Sequence, residues 1–586
     1  MRKKLMSLLL VFVLVFSLLQ VAALADTTSY ADFMAADLNG KIVLLHTNDV
    51  HGTVDGYGKI ATLKKDIEAK GATVILIDDG DYSQGKTTVS ISKGKTAVDL
   101  MNQAGYDIAT IGNHEFDYGY DQMIANLEGA KYVTVVANMT YNGTAPFKPN
   151  HIIDVNGVKI GFFGLATPES ATKANPANMV GVSFLAGKKM NAVAQAQIAA
   201  LKAAGASLVV CLGHLGVDAG SKPNRSTDVI SAVKGIDLFI DGHSHTVIDG
   251  MDNSYVKYKG PGSTMLVSTG TAFDCIGAVI YDPATGKLDA RLIDIDLSKK
   301  ADEIVSDSNV KKLIDNINND INRKYGTVFA SSEVLLSAAR APGVRTQETT
   351  LGNLVTDSIL WGIARAGLKA DCAITNGGGL RADIKVGPIT KNDILTVLPF
   401  GNTLALVEVT GAQLLEALEA ATADTPNAMG GFPQAAGIEF TINTGSAFKQ
   451  NGTYPNTTVK RPGKIARVTI QTINGQPFDP KAAYIVASNN FTAAGGDEYY
   501  VFTQGKVVDT GITLDEVLMD YITDTATGLG GVIGQRYAKT EGRINITTEA
   551  VSVPNTGDPA SAAPIAMIAA AMILLIMVKA LKRREN

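Results

Sequence analysis

From Lys41 onward the chain alternates short apolar runs, rich in β-branched residues, with helical patterns and glycine-rich turns. The runs are Ile42–Leu45, Thr73–Ile77, Ile108–Ile111, Val133–Ala137, Lys159–Leu165, Leu208–Leu212 and Leu238–Ile240. They are short and continuously apolar, the pattern of strands buried on both faces. Helical patterns such as Met190–Ala204 separate them. An alternation of this kind specifies an α/β layered domain. Five of the runs are followed at once by clusters of Asp, Asn, His and Gly, and α/β sheets place their ligands just past strand ends.

A chain of 586 residues exceeds what one hydrophobic core organises, so more than one folded unit is expected. The first spans 41–297. Ser298–Tyr325 reads as a polar, charged helix without turn residues, a linker over 298–326. A second mixed α/β segment follows over 327–547, with helices near Leu351–Ala366 and Gly411–Ala421 and a glycine turn at Asn376–Gly379. Hydrophobic residues at 46% and charged residues at 19% are the composition of a folded chain. A net charge of −5 has no basic excess and argues against a nucleic-acid polymer as partner. Cys211, Cys275 and Cys372 are odd in number and far apart, which excludes a disulfide framework and a cysteine zinc cluster. Each reads as a small buried hydrophobe.

The two ends read as addresses. Arg2, Lys3 and Lys4 precede an apolar run to Leu19, and Ala23-Leu24-Ala25 is a small-x-small cleavage pattern. Residues 1–25 are therefore expected to be a signal peptide, removed by signal peptidase before Asp26. At the other end, Val553-Pro554-Asn555-Thr556-Gly557 precedes an uncharged stretch from Pro559 to Val578, then Lys579, Lys582, Arg583 and Arg584. The stretch is long enough to span a bilayer with its basic tail cytoplasmic. Pentapeptide, apolar span and basic tail over 553–586 resemble a Gram-positive sortase signal. The resemblance implies transpeptidation between Thr556 and Gly557 and an exported chain attached to the cell wall. Val553 stands where such signals usually carry Leu. A plain C-terminal membrane helix is the alternative.

Five of the seven histidines belong to the strand-end clusters. Asp49-Val50-His51 follows the first strand, and in an extended segment both side chains would reach the same side. Asp79-Gly80-Asp81, Asn113-His114-Glu115-Phe116-Asp117, Gly213-His214 and Asp241-Gly242-His243-Ser244-His245 follow later strands. Asp81 has two oxygens with which to bridge two cations. Mixed nitrogen and oxygen donors suit Zn, Mn or Fe better than an all-oxygen Ca or Mg cage. His46, on a buried strand, and His151, in a loop approach, are expected to be structural.

The same residues carry a family resemblance. Asp49-x-His51, Gly80-Asp81, Gly112-Asn113-His114-Glu115, His214 and Gly242-His243-x-His245 resemble the calcineurin-like metallophosphatases. The strings Leu45–Gly52 and Gly112–Gly119 narrow this to the 5′-nucleotidase family. The resemblance implies a layered β-sandwich metallophosphatase domain with flanking helices, joined by the linker helix to a substrate-binding domain. It implies two divalent metal ions, one held by Asp49, His51, Asp81 and His245 and the other by Asp81, Asn113, His214 and His243. His114 and Asp117 are implied to be a catalytic dyad that does not ligate metal. Two such ions roughly 3.5–4 Å apart clamp an in-line displacement at phosphorus.

In the second segment, Arg345, Glu348, Leu351-Gly352-Asn353, Asn376-Gly377-Gly378-Gly379-Leu380-Arg381, Leu398-Pro399-Phe400 and Asn490-Phe491…Gly495-Gly496-Asp497 occur in order. Taken singly, each reads as an ordinary turn or core residue; as a set they resemble the nucleotide-binding C-terminal domain of the same family. The resemblance implies that Phe400 and Phe491 stack the base, that Asp497 meets the ribose, and that Arg345, Asn376 and Arg381 contact sugar or phosphate. The expected function is hydrolysis of nucleoside 5′-monophosphates such as AMP. UDP-sugar hydrolysis, cleavage of 2′,3′-cyclic nucleotides, and a non-catalytic surface adhesin on the same fold are the alternatives. Family members rotate the second domain against the first, and the helix Ser298–Tyr325 is where such a hinge would sit.

Overall fold

The computed structural model describes residues 27–250, 254–295 and 304–548. The expected signal peptide and sorting signal lie outside them. Two sheets face each other in the first domain. The seven-stranded sheet runs in the order Thr27–Thr28, Lys287–Asp294, Cys275–Asp282, Ile42–Thr47, Thr73–Asp78, Ile108–Ala109, Val133–Thr134. The six-stranded sheet runs Val247–Ile248, Met265–Thr269, Leu238–Asp241, Leu208–His214, Val158–Ala166, Asn150–Val155. Every run read as a strand is one, although those at Ile108 and Val133 shorten to two residues.

Continuous apolarity in these strands has a direct cause: both faces are covered. Leu44, Ile75 and Ile77 of one sheet meet Phe162, Val210, Leu212 and Ile240 of the other in a dry layer between them. On the outer face of the first sheet, Val43, Leu45 and Leu76 pack under the helices Gly56–Ala69 and Lys95–Ala104. On the outer face of the second, Val209 and Cys211 pack under Lys188–Ala203. All three cysteines are buried and free. Ile42–Thr47, Thr73–Asp78 and Ile108–Ala109 run parallel in the first sheet, as do Val158–Ala166, Leu208–His214 and Leu238–Asp241 in the second, and their C-terminal ends open on one shared rim.

Two details differ from expectation. The linker helix spans Ser308–Tyr325, shorter than 298–325, because the Asp307 carboxylate accepts the Asn309 and Val310 amides and starts it there. Its Val310 and Ile314 are buried in the first domain's core, so this helix is anchored to that domain for most of its length. His151 lies on the edge strand Asn150–Val155, half-buried, and not in a loop. His46 is fully buried, and burial drives its imidazole down to about 3, so it stays neutral.

The second domain is built on a five-stranded sheet in the order Pro433–Ala436, Cys372–Asn376, Ala483–Asn489, Thr403–Thr410, Lys506–Thr513. Helices Thr350–Arg365 and Leu514–Thr523 cover one face and Gly411–Ala421 covers the other. The sheet presents the loops after Asn376 and Asn489 towards the rim of the first domain.

Gly277 pairs with His46 across the sheet, and a methyl group on it would lie 2.0 Å from the imidazole. Gly277→Ala is therefore expected to destabilise the first domain by about 1–3 kcal/mol through overpacking. Denaturant unfolding of the variant measures this, and an unchanged midpoint would show that the ring moves aside freely.

Candidate functional site

The strand ends at Thr47, Asp78, Ala109, His214 and Asp241 converge, and backbone conformation decides where their side chains go. Asp49 and His51 do not share a side by being extended. Both occupy the left-handed region, with φ of 50° and 43°, and so do Asp81 at 61°, His243 at 73° and His245 at 56°. Hydrogen bonds hold these turns: the Asp49 amide donates to the Gly80 carbonyl at 3.0 Å and the His51 amide to the Asp81 carbonyl at 3.1 Å.

The donors meet in two adjoining groups. In the first, His51 Nε2 and His245 Nε2 lie 3.0 Å apart, with Asp49 Oδ1 at 3.7 and 3.5 Å from them. In the second, His214 Nε2 lies 3.1 Å from Asp81 Oδ2, and His243 Nδ1 lies 2.9 Å from Asn113 Oδ1. Asp81 also reaches His51, its Oδ2 being 4.0 Å from Nε2, so it stands between the groups. His214 Nδ1 donates to the Asp79 carbonyl at 2.6 Å, which leaves the Nε2 lone pair facing Asp81 and Asp49.

This set fits divalent cations. Asp49 Oδ1 is buried without any hydrogen-bond donor, yet three imidazoles surround it at 3.5–3.8 Å. Desolvation pushes the Asp49 carboxyl up to about 6, against the pull of His214. Burial would also raise Asp81, but His214 and His114 draw it well below the usual carboxylate range. A cation relieves both the desolvated charge and the crowding of imidazoles.

His114 sits beside this cluster. Its Nδ1 is 2.7 Å from Asp117 Oδ2, and its amide donates to Asp81 Oδ1 at 2.8 Å. Its donor atom also falls within 4.8 Å of those of His51 and Asp81, so proximity by itself does not separate it from the ligands. The bond to Asp117 gives its ring a fixed orientation.

From the second domain, Phe400 stacks on His114 with ring centroids 5.8 Å apart, and the Arg381 guanidinium lies 5.9 Å from the Phe400 centroid. Asn376 Nδ2 donates to Asp497 Oδ2 at 2.8 Å. Gly496 lies flat beneath Phe491, where a methyl group would come within 2.4 Å of the ring. One cavity of about 1180 Å³ is lined by Asp81, Asn113, His114 and Asp117 on one side and by Arg345, Arg381, Phe400, Phe491 and Asp497 on the other. Of the residues expected to bind metal, Asp81, Asn113, His243 and His245 line this cavity, together with all six expected to bind substrate; Asp49, His51 and His214 lie behind its wall. Thr556 and Gly557 lie outside the described residues.

Several supporting residues escaped the sequence reading. Buried Glu115 accepts the backbone amides of Asp81, Tyr82, Ser83 and Gly112 at 2.6–3.1 Å. Asp241 likewise accepts Leu215 and Gly216. Glu169 Oε2 lies 2.9 Å from His243 Nε2. Arg340 lines the cavity 3.6 Å from Asp218. Glu115 and Asp241 stood within the strand-end strings, but a carboxylate that bonds backbone has no signature distinct from one that faces a ligand.

Comparison with known proteins follows the same division. Residues 42–247 match the calcineurin-like phosphoesterase family, and residues 328–504 match the C-terminal domain of 5′-nucleotidase. The trifunctional nucleotide phosphoesterase protein YfkN of Bacillus subtilis is 30% identical over 547 residues, covering 86% of this chain and 35% of that one. The chain thus spans about a third of that relative's length. A 5′-nucleotidase of Vibrio cholerae is 29% identical over 549 residues, covering 86% of this chain and 94% of its own. The crystal structure of a 5′-nucleotidase precursor from Thermus thermophilus superposes with a TM-score of 0.70 at 28% identity, covering 87% of this chain and all of that one.

Glu115→Gln keeps one acceptor oxygen for four amides and is expected to cost about 1–3 kcal/mol. It should also weaken divalent-metal binding, because Asp81 and Asn113 flank the amides it releases. Isothermal titration with Mn and denaturant unfolding test this; a variant with full metal affinity would show that the Asp81 turn does not depend on Glu115.

Proposed function

We propose that this chain, which joins a calcineurin-like phosphoesterase domain to a 5′-nucleotidase C-terminal domain and is a metal-dependent phosphoester hydrolase, removes phosphate from nucleoside 5′-monophosphates such as AMP. The observation that carries this reading is the shared cavity, which runs from the Asp81–His114 cluster to Phe400, Phe491 and Asp497. An ester cut at the first end is held by its alcohol portion at the second.

In this reading Asp49, His51, Asp81 and His245 hold one divalent ion and Asp81, Asn113, His214 and His243 the other. When bound, the ions supply Lewis acidity and activated water for attack at phosphorus. His114 keeps Nδ1 on Asp117, so its Nε2 is the atom that donates to a phosphoryl or leaving oxygen. Arg381 and Arg345 neutralise phosphate charge and leave their flat faces to the nucleoside. Phe400 and Phe491 offer the aromatic faces on which a base stacks.

A cavity of about 1180 Å³ leaves room for substrates larger than a mononucleotide, UDP-sugars among them. Work at the cell surface, after export and sortase attachment, is part of the proposal. It rests on the basic-apolar start of the chain and on the Val553–Gly557 segment with its apolar and basic followers.

Product analysis of AMP (adenosine and phosphate), UDP-glucose (UMP and glucose 1-phosphate) and 2′,3′-cyclic AMP (adenosine 2′- or 3′-monophosphate) tests the reading, with Mn or Zn supplied. We expect metal-dependent turnover of AMP that Asp81→Ala abolishes, and a loss of about 10²–10⁴-fold in kcat for His114→Gln. Absence of turnover on all three, with metal demonstrably bound, would overturn it. Gly496→Ala should raise KM for AMP by displacing the Phe491 ring, with its effect on kcat smaller; an unchanged KM would remove Phe491 from the binding site.

A further inference from the structure

A single helical turn, Ser170–Lys173, connects the cation cluster to the nucleoside end of the cavity. Glu169, which precedes it, faces His243 Nε2 at 2.9 Å, while the other nitrogen of that ring faces Asn113. At the far end of the turn, Lys173 Nζ donates to Asp497 Oδ1 at 2.9 Å and to Glu498 Oε1 at 3.1 Å, both on the second domain. The Asp497 amide donates to the Thr172 carbonyl at 2.7 Å. Asp497 is 4% exposed, sits in the left-handed region at φ 49°, and accepts Asn376 Nδ2 on its remaining oxygen.

Lys173 is thus the cation among three carboxylates, Glu169 from its own domain and Asp497 and Glu498 from the other. Without it, like charges face each other across the domain boundary with little water to screen them. Among the described residues, the other side-chain contacts on this boundary include the His114–Phe400 ring stack at 5.8 Å, a Thr87–Thr396 hydroxyl pair at 3.1 Å and the looser Arg340–Asp218 pair. Lys173 is not aimed at the cation cluster, and nothing in the proposed chemistry uses it.

We propose that Lys173 is a positioning residue that holds the Gly495–Glu498 turn against the first domain and so sets Asp497 in place for the nucleoside. Its role in recognition rests on the nucleotidase reading above; its role in holding the domains together does not. A substrate without a nucleoside makes no use of Asp497. The lysine therefore matters more for nucleotide esters than for small phosphate esters, which meet the second domain only through Arg345 and Arg381.

Lys173→Met and Lys173→Arg in the full chain test this with AMP and p-nitrophenyl phosphate. Spin labels on one added surface cysteine per domain report the interdomain distance, since the native cysteines are buried. Lys173→Met is expected to raise KM for AMP at least about tenfold, the worth of a lost charge-assisted hydrogen bond. It should affect p-nitrophenyl phosphate hydrolysis much less than AMP hydrolysis and broaden the distance distribution, and Lys173→Arg should restore both. Glu498→Gln, which removes one carboxylate and keeps the lysine, should give a smaller shift in the same sense and serves if Lys173→Met fails to fold. Unchanged KM and distances, or equal losses on both esters with the domains still apposed, would overturn the proposal. Turnover of neither ester by the wild-type protein would count against the nucleotidase reading, while the distance distribution would still decide whether Lys173 holds the domains.

Discussion

Five of the seven rim donors depend on backbone held in the left-handed region by non-glycine residues. Asp49, His51, Asp81, His243 and His245 all adopt it, at a cost of about 1–2 kcal/mol each. Extended strands would send these side chains alternately up and down; five reversals aim them inward together. The conformation persists because other groups over-determine it. Glu115 gathers four amides of the Asp81 and Asn113 loops, and the Asp49 and His51 amides lie on the carbonyls of Gly80 and Asp81. Strain placed where several charged side chains must converge is a frequent property of functional sites.

Two glycines complete that arrangement. A methyl group on Gly112 would lie 2.2 Å from Asp81 Oδ1, and one on Gly242 would lie 2.8 Å from His214 Nδ1. Their side chains are absent because donor atoms occupy that space. The convergence of parallel strand ends from two facing sheets supplies the scaffold. The strands are buried on both sides and rigid, so the loops inherit fixed starting points. The second domain adds what the rim lacks: aromatic faces, three guanidinium groups and a buried carboxylate brought to the same cavity.

Much of this was legible in the residues. The apolar runs marked the strands because burial on both faces removes any polar alternation, as at Val43–Leu45. The polar clusters after them marked the rim. The linker's start was not legible, since Asp307 as a helix cap resembles any other surface aspartate. Nor was the geometry by which Asp49 and His51 meet, because left-handed turns in non-glycine residues carry no local signature. Glu169 and Lys173 were invisible for a different reason. Their partners lie on elements distant in sequence: the folded first domain brings His243 to Glu169, and only the assembled domains bring Asp497 to Lys173.

The rim donors are proposed to form one divalent-metal centre, with Asp81 between its two halves. Anomalous diffraction from crystals grown with Mn tests it most directly. Two peaks are predicted, one among Asp49, His51 and His245 and one among Asn113, His214 and His243, with Asp81 contacting both. A single peak, or peaks away from these side chains, would contradict it.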